Sequence, residues 1–453
     1  MEHVSKPFFY FPLKNNDMKF KHITLLALLP LLLLTSACEK EYENPNAATS
    51  EDVLNNVDGL LGMVVGLKRS YSVSATGALY NMVAANGLTT RELYVINTGN
   101  GELAALEAGG GTVGNSNSFI SNIWASCNIV MANSELVINN SANIADPGTA
   151  TAAKVYGHLF KALAIGTMAQ FWEQVPTQAG SAGDFLQGKF PTFKPRAQAL
   201  ADAIALLEAG VSAIGTTPPS AYFNSKVGTD MNIADACNAL LARYYLMSGN
   251  NDKAIEAANR VNLTRKSSFR FDALNQNPVF RTALVNNNTF DGRFNFGLSG
   301  DLAPTAGDGR IAFYLGANPQ TNVKVQGFFN SDTREIPFFL PGEILLIRAE
   351  ALARKNDVTG AIAELNRVLT KNNDIFGVNA NLPAYSGAAT QAAVLQEIYR
   401  NRCIELYMSG LKLEDSRRFN RPGPPGGERN RNFYPYPLRE RDNNPNTPAD
   451  PTI

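Results

Sequence analysis

The segment NIADACNALLARYYLMSGNNDKAIEAANRV, residues Asn232–Val261, decides the fold class of this chain. Alanine and leucine recur at helical spacing up to a Gly-Asn-Asn turn, and a second helical pattern follows the turn. Small residues such as Ala242 and Ala254 allow two helices to approach closely, and Tyr245 is placed to fill the seam between them. This spacing is that of a tetratricopeptide unit, so it predicts an antiparallel helical hairpin.

A second segment, EILLIRAEALARKNDVTGAIAELNRVL (Glu343–Leu369), repeats this pattern in degenerate form. Ala351 and Ala363 stand at the places of the small residues, whereas Arg354 replaces the aromatic residue and Val358 replaces the glycine. Four more segments show helical periodicity: residues 117–136, 150–176, 196–214 and 389–410.

Long stretches without periodicity separate the predicted helices, namely Tyr94–Gly114, Ser267–Pro341 and the Pro/Gly-rich tail from Arg421 onward. Irregular chain on this scale inside a helical protein is typical of functional loops. The stretches FDGRFNFGLSGDL (residues 290–302) and KVQGFFN (residues 324–330) are predicted to hold short strands. The sequence therefore predicts a mostly α fold of tetratricopeptide-like helical hairpins, with large irregular loop insertions and minor β content.

The N-terminal stretch LLLLTSACEKEYENPN (Leu31–Asn46) places Cys38 between a short apolar run and a group of acids. A membrane-spanning helix needs roughly 20 apolar residues, so this shorter run with its basic flank is typical of a secretory signal. A cysteine directly after such a signal resembles a bacterial lipobox, although Thr35 stands where leucine is usual. An ordinary signal with an incidental cysteine is the alternative. We predict a start-site artefact at residues 1–17, a lipoprotein signal peptide at 18–37, a flexible acidic linker at 38–50 and a single helical domain at 51–453.

The charge composition of the chain argues against some classes of function. Forty basic and forty acidic residues give zero formal net charge, which argues against a nucleic-acid binder. Arginines cluster between Arg400 and Arg441, where internal ion pairing and an exposed helix face are the expected roles.

His158 is the one histidine beyond the predicted signal peptide and lies within a predicted helix, so neither a Ser-His-Asp enzyme nor a multi-histidine metal site is expected. Three cysteines lack metal-binding spacing and are predicted to be small buried hydrophobes: Cys127, Cys237 and Cys403. No metal and no cofactor is predicted.

Two glycine-rich motifs and one acid pair do not fit the chemistry that they suggest. GGGTVG (Gly109–Gly114) follows a helix-like segment and lacks the strands of a dinucleotide site, so a loop is predicted. GDFLQGKF (Gly183–Phe190) has phenylalanine where a P-loop needs serine or threonine. Glu414 and Asp415 are adjacent on a predicted helix and point apart, unlike the converging carboxylates of a glycoside hydrolase.

Several segments in order resemble the SusD/RagB family, the outer-membrane nutrient-binding lipoproteins of Bacteroidetes. They are NIWASCNIVMAN with Trp124 and Asn133, the segment from Lys154 to Pro176, ALLARYYLMSGNNDKAIEAANRV, IRAEALARKND with AIAELNRV, IYRNRCIELYMSGLKLEDSRRF and YPYPLRERDNNPN. The resemblance runs along almost the whole predicted mature chain. Trp172-Glu173-Gln174 replaces the usual Phe-Gly-Asp, and Asn401 replaces a common glutamate, which indicates a divergent branch.

The resemblance implies a non-catalytic, cell-surface lipoprotein that is anchored in outer-membrane lipid through Cys38. It implies an oligosaccharide ligand, or a peptide as in some members, and no nucleic acid. The partner it implies is a SusC-like TonB-dependent outer-membrane barrel, to which the nutrient is delivered. The acidic residues directly after Cys38 are similar to the export signal that moves such lipoproteins to the outer face.

The loops between Gly87 and Gly114 and between Asn286 and Tyr314 resemble the family's variable binding regions. Amide and charged groups in them are suited to hydrogen bonds with sugar hydroxyls, and aromatic faces are suited to stacking. We predict ligand contacts for these loop residues: Arg91, Tyr94, Asn97, Asn100, Asn288, Asp308 and Arg310. Trp172, near a helix end, is added as a stacking platform, although core packing is the favoured role for it and for Trp124.

Two further function classes stay open from the sequence alone. The tetratricopeptide-like hairpins are also compatible with an envelope scaffold that binds protein partners and no nutrient. A surface glycoside hydrolase would require carboxylates from distant segments to converge, which local sequence does not exclude.

Overall fold

The computed structural model describes residues 50–286, 288–316 and 324–453. The predicted signal peptide, the linker up to residue 49 and Cys38 lie outside these residues. The described part contains seventeen α-helices and six short strands. The helices are α1 (Ser50–Asn55), α2 (Val57–Ser72), α3 (Ala78–Thr89), α4 (Gly101–Ala108), α5 (Ser118–Asn140), α6 (Pro147–Phe171), α7 (Ala182–Leu186), α8 (Arg196–Thr216), α9 (Ala221–Val227), α10 (Ile233–Met247), α11 (Asn251–Asn259), α12 (Gly309–Leu315), α13 (Pro341–Arg354), α14 (Val358–Leu369), α15 (Gln391–Glu405), α16 (Lys412–Arg418) and α17 (Leu438–Asn443). The prediction of a mostly α fold is confirmed.

Both predicted hairpins form, as α10–α11 and α13–α14, and α11 packs against α13 so that the two pairs stack side by side. The turn of the first hairpin has Gly249 in the left-handed region, with φ of 76°. The corresponding residue of the second turn is Asn356, with φ of 65°, and not Val358 as the sequence alignment predicted. Asparagine tolerates this conformation better than most residues, whereas a β-branched valine does not. A second apolar cluster between α13, α14 and α15 extends the array.

Helix α6 lies at the centre of the main core, because its side chains are buried almost continuously from Ala152 to Phe171. It packs against α5, α8 and α10. A close approach occurs at Gly166, where a Cβ would overlap the phenol ring of Tyr244 on α10. The Tyr244 hydroxyl in turn donates a hydrogen bond of 3.2 Å to the carbonyl oxygen of Ala162. The glycine therefore allows the aromatic residue of one hairpin helix to lie flush against the central helix.

We expect Gly166→Ala to lower the free energy of unfolding by about 1–3 kcal/mol, because Tyr244 must leave its position to admit the methyl group. Gly62, on α2, is the matched control, since nothing lies within 4 Å of a Cβ built there. Gly62→Ala should be neutral or stabilising by up to about 1 kcal/mol, because alanine has the higher helix propensity. Urea unfolding of both variants checks this, and equal effects would show that the contact with Tyr244 is unimportant.

Helix α8 is long and apolar enough to cross a membrane by length and composition, with mean hydropathy 1.5 over its most apolar window. It lies against α6 and α10, and a stripe of its residues is buried there: Ala199, Leu200, Ala203, Leu207, Gly210 and Ile214. One buried stripe on an otherwise exposed helix is the pattern of a core-facing amphipathic helix.

Six short strands form three two-stranded antiparallel ribbons, which confirms a minor β content. They are β1 (Leu93–Val95) with β5 (Phe290–Gly292), β2 (Gln174–Pro176) with β3 (Phe193–Pro195), and β4 (Ser268–Phe269) with β6 (Ile336–Pro337). The strand predicted in FDGRFNFGLSGDL is β5, whereas KVQGFFN holds a 3₁₀ turn at Gly327–Phe329 and no strand. The predicted loop Tyr94–Gly114 contains α4, whose two buried leucines, Leu103 and Leu106, attach it to the core.

The arginines of the C-terminal region form ion pairs inside the protein, as predicted. Glu350 on α13 is 0% exposed and accepts hydrogen bonds from Arg354 (2.8 Å) and Arg418 (2.7 and 2.9 Å). Arg402 on α15 pairs with Asp415 at 2.8 Å, and Asp415 also accepts from Arg418. The neighbouring arginines lower the pKa values of the Glu350 and Asp415 carboxyl groups, so both carboxylates stay ionised despite burial.

The other core predictions also hold. Cys127, Cys237 and Cys403 are buried and unpaired, and burial raises the pKa of each thiol. His158 is buried within α6, where loss of solvation and nearby lysines lower its pKa to about 4. It is therefore neutral at pH 7 and belongs to the core. Trp124 packs edge-on against Trp172 with ring centroids 4.9 Å apart.

Candidate functional site

The ribbon of β1 and β5 brings the two predicted binding loops together. Tyr94 on β1 lies directly opposite Asp291 on β5, and this places the chain after β1 beside the chain before β5. Asn97 donates a hydrogen bond of 3.3 Å to the Asn288 side-chain oxygen, and Asn100 donates one of 3.2 Å to the Asn288 carbonyl oxygen. Three residues predicted from two distant loops therefore form one hydrogen-bonded group, Asn97, Asn100 and Asn288, and Tyr94 lies on the strand that leads to it.

Arg91 lies before β1, at the opposite end of the ribbon from the asparagines, and its backbone is in the left-handed region with φ of 61°. The chain after β5 turns against it, with Asn295 and Phe296 also at positive φ of 53° and 59°. At Gly297 a Cβ would overlap the Arg91 carbonyl oxygen, so only glycine permits this contact. Strained non-glycine residues persist where the surrounding structure holds them, and they cluster at functional sites.

A polar surface cleft of about 540 Å³ opens beside this turn, and we name it the Arg91 cleft. Three pieces of irregular chain line it: the turn at Thr90–Arg91, the segment Gly297–Leu302 and the Pro/Gly-rich segment Arg421–Glu428. Gln396 of α15 and Lys412 at the start of α16 complete the lining. The volume is in the range of small-molecule sites in proteins, and the lining is rich in hydrogen-bonding groups.

One wall of the cleft is fixed by a group of three side chains. Arg421 donates a hydrogen bond of 2.7 Å to one oxygen of Glu428, and the Tyr399 hydroxyl donates one of 2.6 Å to the other. The Arg421 guanidinium lies 5.1 Å from the centroid of the Tyr399 ring, in cation–π contact. This arrangement holds the loop RPGPPGGE in place and neutralises Glu428, so the charge of that carboxylate is not available to a ligand.

A buried carboxyl group lies next to the residues of the cleft. Glu92 follows Arg91 directly, is 1% exposed and accepts a hydrogen bond of 3.1 Å from Asn86. Burial raises the pKa of Glu92 to about 7, against the opposing effect of the Lys412 charge. One oxygen of this carboxyl has no hydrogen-bond partner among the described residues.

This raised pKa predicts a pH-dependent loss of stability. In the unfolded chain Glu92 has an ordinary pKa of about 4.3. The folded pKa is higher, so the stabilisation is complete below pH 4 and is lost as the pH rises through 7. Relative to Glu92→Gln, which does not titrate, the wild type should lose about 2 kcal/mol of unfolding free energy between pH 5 and 8. Urea unfolding across this range measures the difference, and Glu256→Gln, at an exposed acid, is the control. Parallel curves for wild type and Glu92→Gln would contradict the prediction.

Three predicted ligand contacts are corrected by their burial. Arg310 is 0% exposed and donates to Asp308 at 2.9 and 2.7 Å, to Glu405 at 3.1 Å and to Asn401 at 2.8 Å. Asp308 is 4% exposed and caps α12. Trp172 is 0% exposed, and its ring nitrogen donates a 3.0 Å hydrogen bond to the Pro435 carbonyl oxygen. All three side chains are saturated by the protein and inaccessible to a ligand, so they are structural.

Most of the polar groups that line the Arg91 cleft were not predicted from the sequence: Ser299, Asp301, Gln396, Lys412, Arg421 and Glu428. Two local signals pointed to these segments: the loop between Asn286 and Tyr314, which contains Ser299 and Asp301, and the proline and glycine density of RPGPPGGE. Among the residues that the structure describes, no three His, Cys, Asp or Glu side chains lie close enough to hold a metal ion. Glu414 accepts a hydrogen bond from Arg417 and Asp415 accepts one from Arg402, and both carboxylates also pair with Arg418.

The described fold and part of the sequence match known proteins. Residues 312–451 match the model of the SusD family. A SusD superfamily protein from Bacteroides thetaiotaomicron superposes with a TM-score of 0.68 at 16% identity, covering 87% of this chain and 100% of that one. A SusD superfamily protein from Bacteroides fragilis gives 0.67 at 16% identity, covering 85% and 97%. A SusD-like carbohydrate-binding protein from Bacteroides fragilis gives 0.63 at 14% identity, covering 87% and 99%. No curated protein matches the chain. At these identities the structures show a shared fold, as the resemblance implied, and the sequence match to the family model extends over residues 312–451.

Proposed function

We propose that this chain, a member of the SusD family by its residues 312–451 and its fold, is a non-catalytic nutrient-binding protein whose ligand is an oligosaccharide. The Arg91 cleft carries this proposal. It combines a guanidinium group, an amide, a hydroxyl and carboxylates around a volume of about 540 Å³. Saccharides present many hydroxyl groups that both donate and accept hydrogen bonds, so such a lining suits them. The name of one structural relative, a SusD-like carbohydrate-binding protein, agrees with this ligand class.

At the other end of the ribbon of β1 and β5, the group Asn97, Asn100 and Asn288 adds further amides to the proposed binding surface. Phe294, two residues after the end of β5, is 47% exposed and offers an apolar ring face of the kind on which sugars stack. Its chain segment is the one that turns against Arg91, so aromatic and polar groups lie on the same loop.

Titration calorimetry of residues 39–453 against panels of oligosaccharides and peptides tests the ligand class. We expect at least one oligosaccharide to bind and its reducing-end content to stay constant during incubation. Binding of peptides alone would redirect the proposal to a peptide ligand, and the absence of any binding would favour a scaffold for envelope proteins. Release of new reducing ends would overturn the non-catalytic role and favour a glycoside hydrolase.

We also propose that the protein is anchored in the outer membrane through Cys38 and hands its ligand to a SusC-like TonB-dependent barrel. The sequence before Cys38 supports the anchor, and the family supports the partner. A gene for such a barrel directly adjacent in the genome is the expected context. Co-purification of the barrel with the tagged protein from outer membranes is the direct test, and its absence there would contradict the partnership.

Cys38→Ala should release the protein from the membrane, because the thiol that would carry the lipid is absent and acyl chains supply the anchoring energy. Fractionation of cells should then find the variant in the soluble periplasmic fraction, with the wild type in the outer membrane. Cys127→Ala is the control, since that thiol is buried in the core, and it should fractionate as the wild type does. Unchanged membrane association of Cys38→Ala would refute the anchor.

A further inference from the structure

The charges of the Arg91 cleft do not balance. Three cationic side chains line it, Arg91, Lys412 and Arg421, together with two acidic ones, Asp301 and Glu428. Glu428 is already paired with Arg421 through a hydrogen bond of 2.7 Å. Two cations and one exposed carboxylate, Asp301, therefore remain without an ion-pair partner among the described residues. The three lining side chains without an ion-pair partner therefore carry a net charge of +1.

Lys412 is the more deeply buried of the two unpaired cations. It is 5% exposed, yet its ammonium group makes neither a hydrogen bond nor an ion pair with any residue that the structure describes. The ammonium nitrogen is not among the fully enclosed polar atoms that lack a partner, so it is reached from the cleft, and a lysine residue this buried is normally paired. The nearby Glu92 carboxyl is not within ion-pair distance, and its pKa is raised to about 7 by burial, so it compensates the lysine incompletely near neutral pH. What remains open to the Lys412 ammonium is the cleft itself.

Arg91 presents the second unpaired cation. Its side chain is exposed and makes no hydrogen bond to any described residue, while its backbone is in the left-handed region and its carbonyl oxygen lies close to Gly297. A guanidinium group carries a planar fork of N–H donors that matches the two oxygens of a carboxylate or sulfate. The strained turn therefore presents an anion-binding group toward the same space as Lys412.

We propose that the oligosaccharide bound in the Arg91 cleft carries anionic substituents, carboxylate or sulfate, that pair with Lys412 and Arg91. This inference rests on the proposed saccharide-binding function and specifies its substrate class. The cleft is far larger than a single inorganic anion, and Gln396 and Ser299 supply uncharged groups for sugar hydroxyls. Asp301 lies on the same lining and disfavours dense negative charge near it, which points to a saccharide with spaced anionic groups.

Matched ligand pairs test the inference. Oligogalacturonates are compared with the same oligomers after reduction of their carboxyl groups, and chondroitin sulfate oligosaccharides with their desulfated forms. Neutral oligosaccharides such as maltooligosaccharides and xylooligosaccharides complete the panel. We expect the wild type to bind the anionic member of at least one pair about tenfold more tightly than its neutral counterpart, with affinity that falls as salt rises from about 50 to about 300 mM. The pair that shows the preference identifies carboxylate or sulfate as the recognised group.

Lys412→Met removes the charge and keeps the length of the side chain, so it should weaken binding of the anionic member about tenfold more than binding of its neutral counterpart. Lys226→Met, at an exposed lysine outside the cleft, should bind as the wild type does. Equal or tighter binding of the neutral members, or affinity that is independent of salt, would overturn the anionic ligand while leaving the saccharide-binding function intact. Binding of no saccharide, neutral or anionic, would overturn both. The wild-type comparison stands even if Lys412→Met fails to fold.

Discussion

Replacement of Glu350 by glutamine should lower the free energy of unfolding by about 3–5 kcal/mol. Glu350 is the acceptor that joins Arg354 and Arg418, and Arg402 lies 3.9 Å away. The glutamine amide would bring an NH₂ donor toward arginine donors, and Arg354, Arg402 and Arg418 would lose one of the negative charges that compensate them. Removal of one partner from a buried ion network leaves the others unpaired, which is the costly case.

Glu364→Gln is the matched control for this prediction, since Glu364 lies on the same second hairpin and pairs with Arg348 and Arg367 nearer the surface. Partly exposed pairs contribute little, so this variant should lose no more than about 1 kcal/mol. Chemical unfolding followed by circular dichroism measures both values. Equal, small losses in the two variants would mean that the network around Glu350 does not stabilise the junction of α13, α15 and α16.

Arg91→Asn should weaken saccharide binding by about 10- to 100-fold, because hydrogen bonds to a charged group contribute about 1.5–3 kcal/mol each. Asparagine tolerates the left-handed conformation that residue 91 adopts, so the fold should keep its thermal midpoint. The variant therefore separates loss of the guanidinium group from damage to the turn. Titration calorimetry with the tightest-binding oligosaccharide gives the affinity, and thermal unfolding gives the stability.

Arg281→Asn is the control, since Arg281 carries the same charge on an exposed side chain that does not line the Arg91 cleft. It should bind the saccharide as the wild type does. Wild-type affinity in Arg91→Asn would remove Arg91 from the binding site, whereas equal losses in both variants would indicate a general effect of net charge.

The helical hairpins could be predicted because the information that specifies them is local. Small residues at helical spacing, a polar turn and a second helical pattern lie within about 30 consecutive residues, as expected for a tetratricopeptide-like unit. The residue of the second hairpin that corresponds to Gly249 of the first is Asn356. Alignment of the two hairpins by their alanines placed Val358 at this position, which is two residues too far along the chain. Helix α4 lies in the stretch Tyr94–Gly114, which was predicted to be irregular as a whole although the segment before Gly109 is helix-like, and Leu103 and Leu106 are enough to bury one side of it.

The Arg91 cleft could not be predicted, because its lining comes from segments that are distant in sequence and meet only in the fold. Arg91 was identified from its loop, but nothing local in the sequence relates it to Lys412 or Arg421. Arg310 was misassigned for the same reason: DGR in a glycine-rich loop is typical of an exposed turn, while the partners that bury it, Asn401 and Glu405, lie on α15. Burial is a property of the whole fold, so local sequence distinguishes a binding arginine from a structural one poorly.

A crystal structure of the protein with the oligosaccharide that binds most tightly in calorimetry tests the central claim most directly. We expect a saccharide in the Arg91 cleft, with polar contacts to Arg91 and Gln396 and an anionic group at Lys412. A saccharide bound elsewhere, for instance in the groove between the end of α2 and α5 that Arg69, Asn122 and Ile129 line, with the Arg91 cleft empty, would contradict it.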